Sequence, residues 1–198
     1  MVTLVNATQC IAEFYAHFGP GSLLNLSENS IGVAGIAGVA DGLKSNTTLS
    51  ELNLSRNRIG DDGAVKLADG LKFNTRLTVL NLSGNKIGDA GAANLADGLK
   101  YNKKLTVLHL SDNGIGDDGA VCLADVLRES NKTLTMLYLC DNSICDAGAA
   151  GLADALKSSN STLNKLCLSG NKIGEYGLDG LKSTLKTNKE LTVDLLPP

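Results

Sequence analysis

The sequence predicts an α/β solenoid, a horseshoe segment with parallel strands along its concave face and helices along its convex face. Three observations carry that expectation. One unit, seen in Leu77–Lys104 as LTVLNLSGNKIGDAGAANLADGLKYNKK, recurs with its first position at Gly21, Leu49, Leu77, Leu105, Leu134, Leu163 and Leu191, in steps of 28, 28, 28, 29, 29 and 28 residues. A constant period of this size marks stacked supersecondary units. Each unit opens on a two-residue apolar alternation and closes on a three- and four-residue one, so a strand precedes a helix. Parallel strands sit about 4.8 Å apart while packed helices need roughly 8 to 10 Å, so the stack must curve with its strands inside.

Within the unit, Leu80 and Leu82 alternate with Val79, Asn81 and Ser83, which makes a short strand with one buried face. Asn85, repeated as Asn29, Asn57, Asn113, Asn142 and Asn171, is expected to be buried and to satisfy backbone groups of the turn that leaves the strand. Ile87 closes the core, Gly88 offers backbone freedom, and Asp89 is expected to cap its own helix. Ala92, Leu95, Ala96 and Leu99 share the helix face that covers the strand. Asn102 and its counterparts Asn46, Asn74, Asn131, Asn160 and Asn188 stand where a left-handed residue would end the helix. Gly42, Gly70 and Gly98 form a mid-helix row that would let neighbouring helices approach, against a cost of about 1 kcal/mol each relative to Ala.

The chain then divides into residues 1–20, an N-terminal helical cap in which Phe14, Tyr15 and Phe18 seal the core; 21–190, six repeats; and 191–198, a partial repeat or C-terminal cap. At that end Asp194 occupies a Leu position, and a one-residue slip would bury Leu191, Val193 and Leu195 instead. In the fifth unit Cys145 replaces the usual glycine of the turn.

The patterns LxxLxLxxNxIG and DxGAxxLADxLK together resemble the leucine-rich repeats of the ribonuclease-inhibitor type, found also in immune receptors with a nucleotide-binding domain and in the Ran GTPase-activating protein. The resemblance spans roughly residues 21 to 196 and implies a non-catalytic protein-interaction module that binds a protein partner on its concave face. It also implies two alternatives, a GTPase regulator resembling the Ran GTPase-activating protein, or a fragment of a larger receptor-type sensing array.

Composition narrows the chemistry. A net charge of −3 argues against nucleic acid as a partner. The row Lys44, Lys72, Lys100, Arg128, Lys157, Lys186 is shadowed three residues earlier by Asp41, Asp69, Asp97, Asp125 and Asp154, which reads as a charge-paired helical face. No apolar run reaches membrane-spanning length, so neither a membrane nor a secretion route is expected and the protein is placed in the cytoplasm. Five cysteines without a paired spacing scheme suit a reducing compartment, and Cys140 and Cys167 are expected to be free, although aligned strands make them diagonal neighbours. The sequons at Asn25, Asn53 and Asn81 point the same way, since glycans there would block the concave face. His17 and His109 lie more than three periods apart, and the acidic row Asp61, Asp89, Asp117, Asp146, Glu175 is spread over separate repeats. No catalytic residue, cofactor or metal is therefore assigned.

Function is sought where the repeat leaves residues free. Two concave rows do so, running Leu23, Glu51, Val79, Val107, Met136, Lys165 and Asn25, Asn53, Asn81, His109, Tyr138, Cys167. The candidate protein-binding residues are Val79, Val107, His109, Met136, Tyr138 and Lys165, with Met136 and Tyr138 expected to be large, solvent-facing anchors.

Overall fold

The structure, a computed structural model, describes residues 22–158 and 162–195. The expected cap over residues 1–20 and the Asn160 position lie outside the described residues. Strand and helix alternate in the order β1 (Ser22–Asn25), α1 (Gly32–Ser45), β2 (Leu49–Asn53), α2 (Gly60–Phe73), β3 (Val79–Asn81), α3 (Asp89–Tyr101) and β4 (Val107–His109), continuing through α4 (Asp117–Glu129), β5 (Met136–Tyr138), α5 (Asp146–Ser158), β6 (Lys165–Cys167) and α6 (Glu175–Thr187) to β7 (Thr192–Asp194). The strands form one parallel sheet in sequence order, each beside its successor. Register follows the repeat: Leu52, Leu80, Leu108, Leu137 and Leu166 pair in turn. At the end Lys165 pairs with Thr192 and Cys167 with Asp194, the slip by one residue that buries Leu191 and packs Val193 and Leu195 against the core.

The core is a set of rows, one residue per repeat. Leu80, Leu82, Ile87, Ala92 and Leu95 are fully buried, and Leu99 is all but so. Full burial of one such leucine contributes about 1.5 to 3 kcal/mol, so each repeat is stabilised by its neighbours' surface as much as by its own. The mid-helix glycines allow that approach. A Cβ on Gly70 would stand 2.7 Å from the Ala40 carbonyl oxygen, and one on Gly98 2.8 Å from that of Ala68.

Three turn positions behave differently from the sequence expectation or extend it. Asn85 is the internal bracket that was expected. Its amide donates to the carbonyls of Leu54, Leu82 and Ser83, while its Oδ1 accepts from the N–H of Asn57 at 2.8 Å and of Ile59 at 3.4 Å. Asn102, expected to end its helix in a left-handed conformation, instead has φ −71° and ψ 126°. It is buried, donating to the carbonyls of Leu71 and Asn74 and accepting from the N–H of Lys104 and Leu105. Its side chain thus ties the exit of one helix to the exit of the previous one, and a second asparagine ladder runs through the solenoid.

Asp89 does not cap its own helix. Its Oδ1 accepts from the N–H of Gly116 at 2.7 Å and of Gly119 at 2.9 Å, the start of the next helix, and Asp61, Asp117 and Asp146 do the same from their own repeats. The stack brings the N-termini of α3 to α6 each against the aspartate of the preceding helix, so orphan N–H groups there are satisfied between repeats. The glycine before α3 needs no left-handed backbone, since Gly88 has φ −98°; only in the first two turns do Gly32 and Gly60 take φ +60° and +63°. Cys145 therefore fits in the glycine slot, its N–H still donating to Asp117 at 2.8 Å.

On the convex side Lys44, Lys72, Arg128 and Lys157 of the basic row are paired with aspartates of their own or the next helix, while Lys100 and Lys186 have none within ion-pair reach among the described residues. Lys44 Nζ lies 3.0 Å from Asp41 and 2.7 Å from Asp69, and Lys72 lies 2.8 Å from Asp97. The hydrogen bond between Lys44 and Asp69 raises the lysine pKa and lowers that of the carboxyl.

Candidate protein-interaction face

The concave face is built by the strand residues that point away from the leucine core. Because the parallel register is continuous, Val79, Val107, Met136 and Lys165 stand in one row and Asn81, His109, Tyr138 and Cys167 in the row beside it. All six candidate residues therefore fall on one surface, contributed by β3 to β6.

Their contacts are more organised than the sequence suggests. The His109 and Tyr138 rings stack, with centroids 4.3 Å apart and an interplanar angle of 6°. Lys165 Nζ lies 5.4 Å from the Tyr138 ring centroid, a cation–π approach, and 3.7 Å from the Asp194 carboxylate. The Tyr138 hydroxyl meets the Met136 sulfur at 3.7 Å. Tyr138 and Met136 stand on the concave surface, away from the leucine core, and these contacts leave them half-buried there. The strand spacing of a parallel sheet, about 4.8 Å, stacks flat rings in register and lets neighbours shield one another. Burial also lowers the His109 pKa from its ordinary 6.5, so the ring is neutral at pH 7. No hydrogen bond to its ring nitrogens occurs among the described residues.

Two features of this face were not anticipated. Cys140 and Cys167 form a disulfide, with Cα atoms 5.5 Å apart, beside Tyr138 on the register partner of β5. This corrects the expectation of free thiols: the parallel strands bring the diagonal pair within bonding reach although 27 residues separate them. Sequence spacing carries no such signal, because repeat periodicity places every concave residue near others one period away. Cys122 and Cys145 remain free. The turns that engage the expected ladder of amides are the second feature. Asn25, Asn53 and Asn81 each accept through Oδ1 from the N–H of the serine two residues on, Ser27, Ser55 and Ser83. These Asx turns occupy the amides locally, and the repeated Asn-Leu-Ser was their sequence sign.

Beyond Tyr138 a concavity of about 480 Å³ is lined by Cys140, Cys167, Ser169, Val193 and Asp194. Among the described residues no three His, Cys, Asp or Glu are placed to hold a metal ion, and no helix is long and apolar enough to cross a membrane.

Comparison with known proteins agrees with this architecture. The family described as Leucine Rich repeat matches residues 45–68, 73–96, 101–124 and 159–181. Among solved structures, one titled Leiomodin-1 Actin-Binding Site 2 is 26% identical, covering 76% of this chain and 87% of its own, with a TM-score of 0.63. The tropomodulin C-terminal domain of Caenorhabditis elegans superposes with a TM-score of 0.58 over 94% of this chain and 95% of its own, at 13% identity, a likeness of fold alone. No curated protein sequence matches.

Proposed function

The chain is a leucine-rich repeat protein, and from that premise we propose that it is a non-catalytic protein-interaction module that grips a protein partner on its concave strand face. The observation that carries this reading is the stacked row His109, Tyr138 and Lys165, flanked by Met136, Val107 and Val79. The repeat does not require these side chains, yet they are ordered against one another before any partner arrives. A preassembled aromatic surface with polar tips loses little rotamer freedom on binding and suits the centre of a protein interface.

Actin is the partner to test first, supported by the likeness to a domain titled as an actin-binding site. Cosedimentation with actin filaments, and anisotropy against labelled actin monomer, test both forms. Binding by the wild type, weakened by Tyr138→Ala with Met136→Ala, is the expected result. No binding to either form removes actin as the partner, and binding untouched by the double substitution moves the site off the concave face.

A further inference from the structure

A second surface lies at the edge where each helix ends and the next strand begins. The last helical residue runs Ser45, Phe73, Tyr101, Glu129, Ser158, Thr187 along α1 to α6, so two aromatics stand side by side in an otherwise polar row. Phe73 is 61% exposed and Tyr101 56%. Neither serves the core, and large rings left open in adjacent repeats need another explanation than chain packing. Tyr101 is flanked by two cations, with Lys72 Nζ 5.8 Å and Lys100 Nζ 5.9 Å from its ring centroid.

The same two repeats concentrate positive charge. Arg76, Lys100, Lys103 and Lys104 are exposed and have no carboxylate within ion-pair reach among the described residues. The nearby acids are already engaged: Asp69 by Lys44, Asp97 by Lys72, Glu129 by Arg128. Lys103 donates to the carbonyls of Lys100 and Ser130, which anchors its ammonium across the ends of α3 and α4. Helix C-termini offset part of this charge, yet a half-charge per helix end is smaller than the full charges placed over it. In a chain of net charge −3, this is a local reversal of sign beside an apolar pair.

We propose that the Phe73–Tyr101 edge is a docking surface, separate from the concave face, for an acidic protein segment that carries apolar side chains. Phe73 and Tyr101 take the apolar groups, while Arg76, Lys100 and Lys104 pair with carboxylates on either side. Charge complementarity selects the occupant. The aromatic pair distinguishes it from a purely electrostatic contact.

A fluorescein-labelled peptide of Glu-Glu-Leu repeats, followed by anisotropy against the full chain, tests the proposal, with a Ser-Ser-Leu peptide and a single-stranded RNA of matching length as competitors. The acidic peptide is expected to bind, to weaken with added salt, and to lose about tenfold in affinity in Phe73→Ser with Tyr101→Ser and again in Arg76→Glu with Lys104→Glu. Lys100→Gln with Lys104→Gln provides a milder charge pair should the reversal disturb folding, which circular dichroism reports. Tyr138→Ala, on the concave face, is expected to leave peptide binding unchanged, so this surface and the concave one succeed or fail separately. Equal binding of the Ser-Ser-Leu peptide, tighter binding of RNA, or retention of affinity by both the aromatic and the charge variants overturns the proposal.

Discussion

Neighbouring side chains along the same strands obey different rules. Leu80, Leu108, Leu137 and Leu166 are the same residue in four successive strands and at most 1% exposed, whereas the next residue along is Asn81, His109, Tyr138 and Cys167. One row faces the helices, where volume and apolarity are dictated by the repeat above and below. The other faces the concave side, where the backbone ladder is satisfied whatever the side chain. Invariance in this solenoid therefore reports packing, and variation reports the surface that packing leaves free.

The interior row can be broken most sharply at its asparagines. Asn85→Ala and Asn102→Ala are each expected to lose about 3 to 5 kcal/mol, since each orphans buried carbonyls and N–H groups contributed by two repeats. Denaturant unfolding of the two variants checks this. A small loss for Asn102→Ala alone would restore the simpler helix-ending role and break the symmetry between the ladders. Leu95→Ala follows, at about 2 to 5 kcal/mol, because it empties volume where strand and helix meet. Wild-type thermal stability in that variant would contradict the assigned helix face.

The junction between repeats should respond less. Asp89→Ala removes the two N–H bonds at the start of α4 and is expected to cost about 1 to 2 kcal/mol. Asp118→Ala, on the same helix without that role, should stay within about 0.5 kcal/mol. Equal losses would mean that the cap contributes nothing across the junction. The stacked His109 adds a pH dependence. Its folded pKa lies below the unfolded value, so its contribution is present above about pH 6.5 and is lost as pH falls through the lowered pKa. Comparing wild type with His109→Phe between pH 5 and 8, roughly the range in which imidazole titrates, isolates that effect.

Fold and register were legible in the sequence because they rest on rows: a period, an alternation and an apolar identity repeated often enough to outvote any single residue. Even the slip at Thr192–Asp194 could be read from the displaced leucines. The misreadings have one physical origin. Asp89, Asn102 and the pair Cys140 and Cys167 were each assigned a task within their own unit, or none, but their partners lie one repeat away. Periodicity shows that two positions are neighbours; it does not show which neighbour a polar atom or a sulfur will bond. The six candidate residues were found on one face for the same reason as the core, while their stacking, which half-buries Tyr138, depended on ring geometry that no spacing encodes.

A small effect on stability is expected of the concave row, and there the contrast between the two rows is tested directly. Tyr138→Ala with Met136→Ala removes one ring stack, one cation–π contact and a weak contact to sulfur, all on a half-buried surface. Stacked aromatic pairs contribute about 0.5 to 1.5 kcal/mol, so unfolding free energy should fall by about 1 kcal/mol, well short of the loss at Asn85 or Leu95. Affinity for a protein partner should fall by at least about 2 kcal/mol, because the aromatic anchor and its sulfur neighbour are lost together. Calorimetric titration and denaturant unfolding on the same preparation separate the two quantities. A stability loss as large as that of Leu95→Ala would place these side chains among the packing residues and erase the distinction between the rows. A small stability loss with unchanged affinity would keep the distinction but move recognition to another surface. A large affinity loss at small stability cost is what a row released from packing and given to binding should produce.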